Sequence, residues 1–251
     1  MKTVIVIPTY NELENVGILV DRLTTLPVPV DLFFIDDNSS DGTGDFLETL
    51  RLKYPCLRVM HRPQKTGLGS AYREAYRQLL CDSYELFIAM DADLSHQPEA
   101  IPDLVRASME ADLVIGSRYC SGGRTKNWPL SRRLLSRTAN QLAKNILGLT
   151  VEDSTAGFRC YRRGLLAALD HWDVQSEGYA YQIEMTYLAQ LLGFRVREVP
   201  IVFEDRLYAT SKLCSSEITS AMKTLMRLRH HRTSRIGADG SDETFCSKDG
   251  P

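Results

Sequence analysis

No stretch of this sequence approaches the ~18 uninterrupted apolar residues of a membrane-spanning helix, so any membrane contact is expected to be peripheral or made through a partner. Paired cysteines are missing as well. The six present, Cys56, Cys81, Cys120, Cys160, Cys214 and Cys246, are scattered without a Cys-x-x-Cys pair or a metal-ligand spacing, which points to a reducing compartment. His61, His96, His171, His230 and His231 are too dispersed to suggest a cluster. A formal net charge of −2 gives no argument for a nucleic-acid partner. Gly67-Leu68-Gly69 lacks the third glycine of a dinucleotide fingerprint and the Gly-Lys-Ser/Thr of a P-loop, and reads as close backbone packing at a helix start. No internal repeat or composition shift marks a second domain. The first strand begins almost at Met1, so no signal peptide is expected.

What is present is ordinary for a globular chain: 25% charged and 43% apolar residues over 251, enough for one large domain or a domain with a small appendage. The chain is organised around Glu85 to Glu99, ELFIAMDADLSHQPE. Leu86 to Met90 reads as a strand buried on both faces, the pattern of a parallel sheet covered by helices. If that strand persists through Asp93, Asp91 and Asp93 point the same way and Ala92 opposite. Such a pair of hard oxygen ligands suits Mg²⁺ or Mn²⁺, which keep other positions for water and substrate phosphates. With 32 acidic residues in the chain, about four such pairs arise by chance, so position decides. This one falls at the carboxyl end of a buried strand, where open α/β sheets bind ligands.

In chain order, strands are expected at Val4 to Ile7, Leu32 to Ile35, Leu57 to Met60, Leu113 to Ile115 and Phe158 to Tyr161. Phe194 to Phe203 reads as an extended segment, an edge strand because it contains Pro200. Helices are expected over Asn15 to Thr25, to about Leu52, from Ser70, over Pro98 to Glu110, to about Leu169, and over Tyr179 to Leu192, where Gly193 ends the last. The alternation predicts an α/β fold with a mostly parallel sheet and helices on both faces. Cys120 to Pro129 is a glycine-rich basic loop expected to be mobile. Leu130 to Leu147 and Ser216 to Arg229 are basic amphipathic helices, and for the first two readings stand open: packed on the core with solvated arginines, or lying on anionic lipid. The tail, residues 232–251, lacks apolar periodicity and is expected to be disordered, which leaves residues 1–231 as the expected folded domain.

The loops after the first, second and central strands offer Tyr10, Glu12, Asp36, Asp37, Asp91 and Asp93 to one sheet edge, a crevice that fits a nucleotide diphosphate. Lys65, Arg118, Arg206 and Lys212 are the cations that balance it. Alternative readings make Glu12 a helix cap and Asp41 a turn stabiliser, while His96 reads as a support rather than a base. Arg118, at a strand end, needs an anion.

Pro8-Thr9-Tyr10-Asn11-Glu12, Asp36-Asp37-Asn38-Ser39-Ser40-Asp41-Gly42-Thr43 and Asp91-Ala92-Asp93-Leu94-Ser95-His96-Gln97-Pro98-Glu99 together resemble the family 2 glycosyltransferases of the GT-A fold. Gly116-Ser117-Arg118-Tyr119, Thr155-Ala156-Gly157-Phe158-Arg159 and Arg206 through Ser211-Lys212 narrow the resemblance to the dolichol-phosphate (polyprenol-phosphate) mannosyltransferase group, with Ala209 where the last motif usually has glycine. The resemblance implies transfer of mannose from GDP-mannose to a polyprenyl or dolichyl phosphate, with inversion and dependent on Mg²⁺ or Mn²⁺. It assigns Pro8, Tyr10, Glu12, Ile35 and Asp37 to the guanosine, Asp91, Ala92 and Asp93 to metal and donor phosphates, and Arg118, Arg206 and Lys212 to the acceptor phosphate or donor pyrophosphate. Asp91, Asp93 and Arg118 would be catalytic. It also implies a cytoplasmic protein peripheral at the cytoplasmic face of a membrane, alone or through a membrane-anchoring partner subunit.

The chemistry agrees. A phosphate monoester has a second pKa of about 6, so it is largely dianionic at neutral pH and needs no base. A sugar-hydroxyl acceptor would need one, and Glu152-Asp153 is the acidic pair that could serve; a UDP-glucose donor and a non-catalytic nucleotide-sugar sensor are the other readings. The Gln-x-x-Arg-Trp segment of processive synthases is absent.

Overall fold

The computed structural model describes residues 1–172, 174–205 and 222–229. Nine strands and eight α-helices are defined among them: β1 (Thr3–Thr9), α1 (Leu13–Thr24), β2 (Asp31–Asp36), α2 (Thr43–Lys53), β3 (Leu57–His61), α3 (Leu68–Leu79), β4 (Leu86–Ala89), α4 (Ile101–Ala107), β5 (Leu113–Ser117), β6 (Arg124–Lys126), α5 (Leu130–Leu147), β7 (Arg159–Arg162), α6 (Arg163–Asp170), α7 (Gly178–Leu191), β8 (Val196–Pro200), β9 (Val202–Glu204) and α8 (residues 222–229).

Strand alternation divides the core in two. Val4, Val6, Phe33, Ile35, Phe87 and Ala89 face one side, where α3, α5, α6, α7 and α8 cover them. Ile5, Ile7, Leu32, Phe34, Leu86 and Ile88 face the other, under α1, α2 and α4. Apolar side chains thus point both ways from these strands, as a parallel sheet sandwiched by helices requires. The sheet has seven strands in the order β3-β2-β1-β4-β7-β5-β8. β7 alone runs antiparallel to its neighbours. β8 lies at the edge and ends on Pro200, where the missing N–H costs no ladder bond.

The chain leaves β1 toward β2 and β3 on one side and returns through α3 to β4 on the other. The carboxyl ends of β1 and β4 therefore flank a topological switch point, the place where such sheets open a ligand crevice.

Three expectations need correction. β4 ends at Ala89; Met90 N–H still bonds Val6 O at 3.2 Å, but the chain then turns, and Leu94 adopts φ 62°. Asp91 and Asp93 are thus presented by a loop, and strand alternation does not aim them. The segment expected to be mobile, Cys120 to Pro129, contains β6, which pairs in parallel with β9 from Arg124↔Val202 to Lys126↔Glu204. Its partner lies far along the sequence, so nothing local announces it. The helix expected from Pro98 to Glu110 begins as a 3₁₀ turn at Pro98–Ala100 and ends at Ala107.

The eighteen residues of α5 match the expected span and stop at Gly148, whose φ of 69° lets its N–H close on Lys144 O at 2.8 Å. Only Asn140, Ala143 and Leu147 of this helix are buried, while Leu130 and Leu134 are 76% and 66% exposed. The expected tail and the first part of the last helix, from Ser216, lie outside the described residues. Among the described residues no helix is long and apolar enough to cross a membrane.

Candidate functional site

The loops after β1 and β2 are zipped together by short polar side chains. Asn11 and Asn38 take left-handed backbones with φ of 58° and 60°, a region asparagine tolerates. Asn11 N–H donates to Ser39 Oγ at 2.9 Å, and Ser40 N–H donates to Asn11 Oδ1 at 2.9 Å. Asp41 accepts from Leu13 N–H at 3.1 Å, Thr43 N–H at 3.0 Å and Thr43 Oγ1 at 2.6 Å, so it caps α1 and fixes the turn. Those bonds favour its charged form and hold its carboxyl below the usual range despite the cost of desolvation. Glu12 occupies the N-cap position of α1 without a side-chain cap bond; its Oε2 accepts from Asn15 Nδ2 at 2.7 Å. Asp36 is committed to Ser39, whose hydroxyl donates to it at 2.6 Å.

Asp37 is different. It is buried, and Arg62 Nη1 donates to its Oδ1 at 2.5 Å. Burial pushes the Asp37 carboxyl up, and the Arg62 hydrogen bond and charge oppose that rise. Arg62 is itself 5% exposed and also donates to Glu74 at 2.9 Å, to Ser70 Oγ at 2.7 Å and to Thr66 Oγ1. Beside them Lys65 Nζ lies 3.9 Å from the Tyr10 ring centroid. This end of the crevice presents an aromatic face, a buried acid and two cations. Pro8 pairs with Ile35 across the β1–β2 ladder. Ile35 is fully buried in the core, its carbonyl taking the Thr9 hydroxyl at 3.1 Å.

At the end of β4, Asp93 Oδ1 accepts both Ser95 N–H at 3.0 Å and Ser95 Oγ at 2.6 Å. The Ser95 hydroxyl is thereby spent on orienting Asp93. Asp91 N–H donates to His96 Nδ1 at 3.1 Å, and the His96 ring is buried between Phe158, stacked at 5.0 Å, and Phe203, edge-on at 5.4 Å. His96 is a support for the Asp91 loop, as its position in the sequence suggested. Ala92 is buried with the apolar cluster under α1, α2 and α4. No group of three or more side chains able to hold a metal occurs among the described residues. A pair of carboxylates matches Mg²⁺ or Mn²⁺, which bind through one or two acids plus phosphate and water, and does not match zinc.

The third component is Arg118, 5% exposed. Its backbone N–H, Nε and Nη2 all donate to the fully buried Asp153, at 2.9, 2.7 and 2.6 Å, and Nη2 also donates to Thr155 Oγ1 at 2.7 Å. The anion that Arg118 was expected to need is therefore part of the protein. Burial works against the Asp153 charge, but the guanidinium holds its carboxyl below the usual range. Glu152 is paired with Lys144. The acidic pair considered as a base for a hydroxyl acceptor is thus engaged, and Asp153 is sealed from solvent. The guanidinium of Arg118 also lies 5.4 Å from the Trp128 ring and 5.6 Å from Phe203.

Two cavities meet here. One contains Asp91, His96, Gly157, Ile201 and Phe203. The other is an apolar groove of about 210 Å³ between α5, α7 and α8, bordered by Leu135, Ala139, Leu142, Ile183, Met222 and Leu225. Arg118, Trp128, Arg132, Thr155 and Tyr179 line both. Arg132 donates twice from Nη1 to Asp205, at 2.8 and 2.9 Å, and its guanidinium sits 4.2 Å from the Trp128 ring.

The structure therefore brings Tyr10, Asp37, Asp91, Asp93 and Arg118 to the carboxyl edge of one sheet. Arg206, Lys212 and Ala209 lie outside the described residues. Sequence reasoning missed Arg62, Arg132, Trp128 and Tyr179. For Arg62 the signal was an arginine in the polar loop after β3; Arg132 was read only as one of the basic residues of the amphipathic helix Leu130 to Leu147, either solvated or facing lipid.

The glycosyl transferase family 2 profile matches residues 4–170. The chain belongs to that family. This glycosyltransferase is 41% identical over 227 residues to the undecaprenyl-phosphate mannosyltransferase of Micrococcus luteus, covering 90% of this chain and 93% of that protein. It is 44% identical over 223 residues to the polyprenol monophosphomannose synthase of Mycolicibacterium smegmatis, covering 88% and 84%. Among solved structures, glucosyl-3-phosphoglycerate synthase from Mycobacterium tuberculosis, in complex with Mn²⁺, UDP and glucosyl-3-phosphoglycerate, superposes with a TM-score of 0.66 at 21% identity over 91% of this chain and 80% of that one. A mannosyltransferase from Pyrobaculum calidifontis in complex with GDP-Man and Mn²⁺ gives 0.57 at 15% identity, covering 100% and 66%. The fold of the glycosyltransferase is GT-A.

Proposed function

We propose that this glycosyltransferase moves mannose from GDP-mannose to the phosphate of a polyprenol, with inversion, at a membrane surface. The observation that carries the reading is the continuity of the acidic crevice with the apolar groove across Arg118, Trp128, Arg132, Thr155 and Tyr179. A substrate that is a phosphate at one end and a long hydrocarbon at the other fits that junction. The two curated relatives, a mannosyltransferase and a monophosphomannose synthase acting on polyprenol-type substrates by name, support it.

In this reading Tyr10 and Asp37, braced by Arg62, receive the nucleoside, and Lys65 adds charge beside them. Asp91 and Asp93 would hold Mg²⁺ or Mn²⁺. The ion supplies charge neutralisation to the departing nucleoside diphosphate. Arg118 and Arg132 face the acceptor phosphate, with Ser136 one turn further along α5, while the prenyl chain follows Leu135, Leu142 and Leu225. The acceptor oxygen is already ionised at neutral pH, so the protein's task is alignment and charge cover rather than deprotonation. Leu130 and Leu134, exposed and flanked by Arg133 and Arg137, rest on the bilayer. Arg206 and Lys212 are assigned to the same phosphates by their motif.

Transfer from radiolabelled GDP-mannose or UDP-glucose to a short polyprenyl phosphate tests this, with and without Mg²⁺ or Mn²⁺, in the natural chain and in Asp93→Ala. Metal-dependent lipid product from GDP-mannose, lost in the variant, is expected. Product from UDP-glucose alone would overturn the donor, and no lipid product with either would overturn the acceptor.

A further inference from the structure

Between the nucleotide end of the crevice and the lipid groove runs a contiguous polar path that the reaction itself does not use. Its centre is Glu177. The carboxylate accepts Gly69 N–H at 2.6 Å and Ser70 N–H at 3.0 Å, closing the amino end of α3, and takes Arg73 Nη2 at 2.8 Å. Gly67, with φ 119°, lets this approach happen: a Cβ there would stand 2.3 Å from Glu177 Oε2.

On one side the path continues to the nucleotide end. Ser70 Oγ accepts Arg62 Nη2 at 2.7 Å, and Arg62 holds Asp37. On the other side it continues to the groove. Ser176, beside Glu177 in the chain and buried, shares a 3.1 Å hydrogen bond with Thr224 of α8 and accepts Arg227 Nη2 at 3.0 Å. Arg227 in turn pairs with the buried Glu184 of α7 at 2.8 Å. α8 and α7 are walls of the groove, through Met222, Leu225 and Ile183. Directly after Glu177 comes Gly178 at φ 57°, then Tyr179, which lines both cavities.

We propose that Glu177 is a positioning residue that couples the two ends of the site: by clasping α3 to the segment carrying Ser176 and Tyr179, it makes occupancy of the nucleotide end favour occupancy of the acceptor groove, and the reverse. The inference rests on the functional reading above. Each ligand orders one of the two segments that the clasp joins, so the second ligand has less left to order. Coupling of this kind is reciprocal and typically five-fold or more in affinity.

The test is calorimetric binding of a nucleotide, GDP or UDP, whichever the chain takes up, with Mn²⁺ and with or without saturating short-chain polyprenyl phosphate. In the natural chain the lipid phosphate should tighten the nucleotide about five-fold or more. In Glu177→Gln that ratio should fall to about one, while each ligand alone binds within about three-fold of its natural affinity. Arg77→Ala, which removes a neighbouring exposed ion pair with Asp170, should keep the ratio. A merely structural role for Glu177 would lower thermal stability and leave the ratio intact, which would overturn the inference. So would independent binding of the two ligands in the natural chain. Nucleotide binding without any polyprenyl phosphate binding would instead refute the functional reading, and the inference would fall with it.

Discussion

Replacing Asp153 by asparagine removes one charge and almost no volume, and it strikes the most enclosed ion pair of the site. Three Arg118 donors converge on the two Asp153 oxygens, and both side chains are essentially sealed from solvent. An asparagine offers one oxygen and turns an NH₂ group toward a guanidinium, leaving the Arg118 charge buried without a counter-ion. Breaking one partner of such a pair costs about 3–5 kcal/mol, a large part of the 5–15 kcal/mol that holds an ordinary domain together. With a urea m-value of about 2–3 kcal/mol/M, the unfolding midpoint should fall by about 1–2 M with m unchanged. The sign of the pH dependence follows from the lowered Asp153 value. A carboxyl depressed in the folded state stabilises above its unfolded pKa of about 3.9, and that stability is lost as pH falls through the lower folded value. The gap between natural chain and variant should therefore be full above about pH 4 and narrow below it. A midpoint shift under about 0.3 M at neutral pH, or a gap that widens in acid, would refute the assignment of Asp153 as the obligate partner of Arg118.

Asp41 and Asp37 sit four residues apart and should separate cleanly. Asp41→Ala, losing the α1 cap and the Thr43 bonds, should cost about 0.5–2 kcal/mol in denaturant unfolding and leave nucleotide affinity within about two-fold, whereas Asp37→Asn should weaken nucleotide binding about ten-fold by calorimetry. Leu130→Glu with Leu134→Glu should abolish flotation with anionic vesicles, since each exposed leucine is worth about 1.5–3 kcal/mol when buried in lipid; unchanged flotation would remove α5 from the membrane surface. The pH profile of kcat/KM for the acceptor should rise to a plateau as the phosphate passes its second pKa of about 6, and a phosphonate acceptor of higher second pKa should move that limb upward; an unmoved limb would implicate a protein base.

The strands and the α5 helix were legible because their signals are local: apolar runs for a sheet covered on both faces, 3.6-residue spacing and a terminal glycine for the helix. The acidic loops were legible for the same reason, since a strand end followed by carboxylates is a contiguous pattern. What escaped was pairing at a distance. Nothing within CSGGRTKNWP reveals that Arg124–Lys126 will lie along Val202–Glu204. Nothing near Arg62 shows that it will reach Asp37, twenty-five residues earlier. Strand periodicity was also extended too far, since β4 ends at Ala89 and Asp91 and Asp93 are set by His96, Ser95 and the left-handed Leu94 instead.

The charges around the acceptor end constrain the chemistry more tightly than any single residue does. Asp153 holds Arg118, Asp205 holds Arg132, and Glu152 holds Lys144. Each acid is engaged by a cation, two of which, Arg118 and Arg132, line the groove, and Asp153 in particular is held ionised below its usual range by Arg118 despite its burial, a poor acceptor for a substrate proton at neutral pH. The same pairings fix the guanidinium planes before any ligand arrives. Arg118 spends Nε and Nη2 on Asp153 and Thr155, and among the described residues Nη1 has no protein acceptor. Arg132 is flattened against Trp128. Side chains ordered in advance lose less freedom on binding, so their attraction for an anion is better retained. Under the proposed function, prearranged cations whose neighbouring acids Asp153, Asp205 and Glu152 are already engaged suit a nucleophile that arrives ionised, which a phosphate does and a sugar hydroxyl does not.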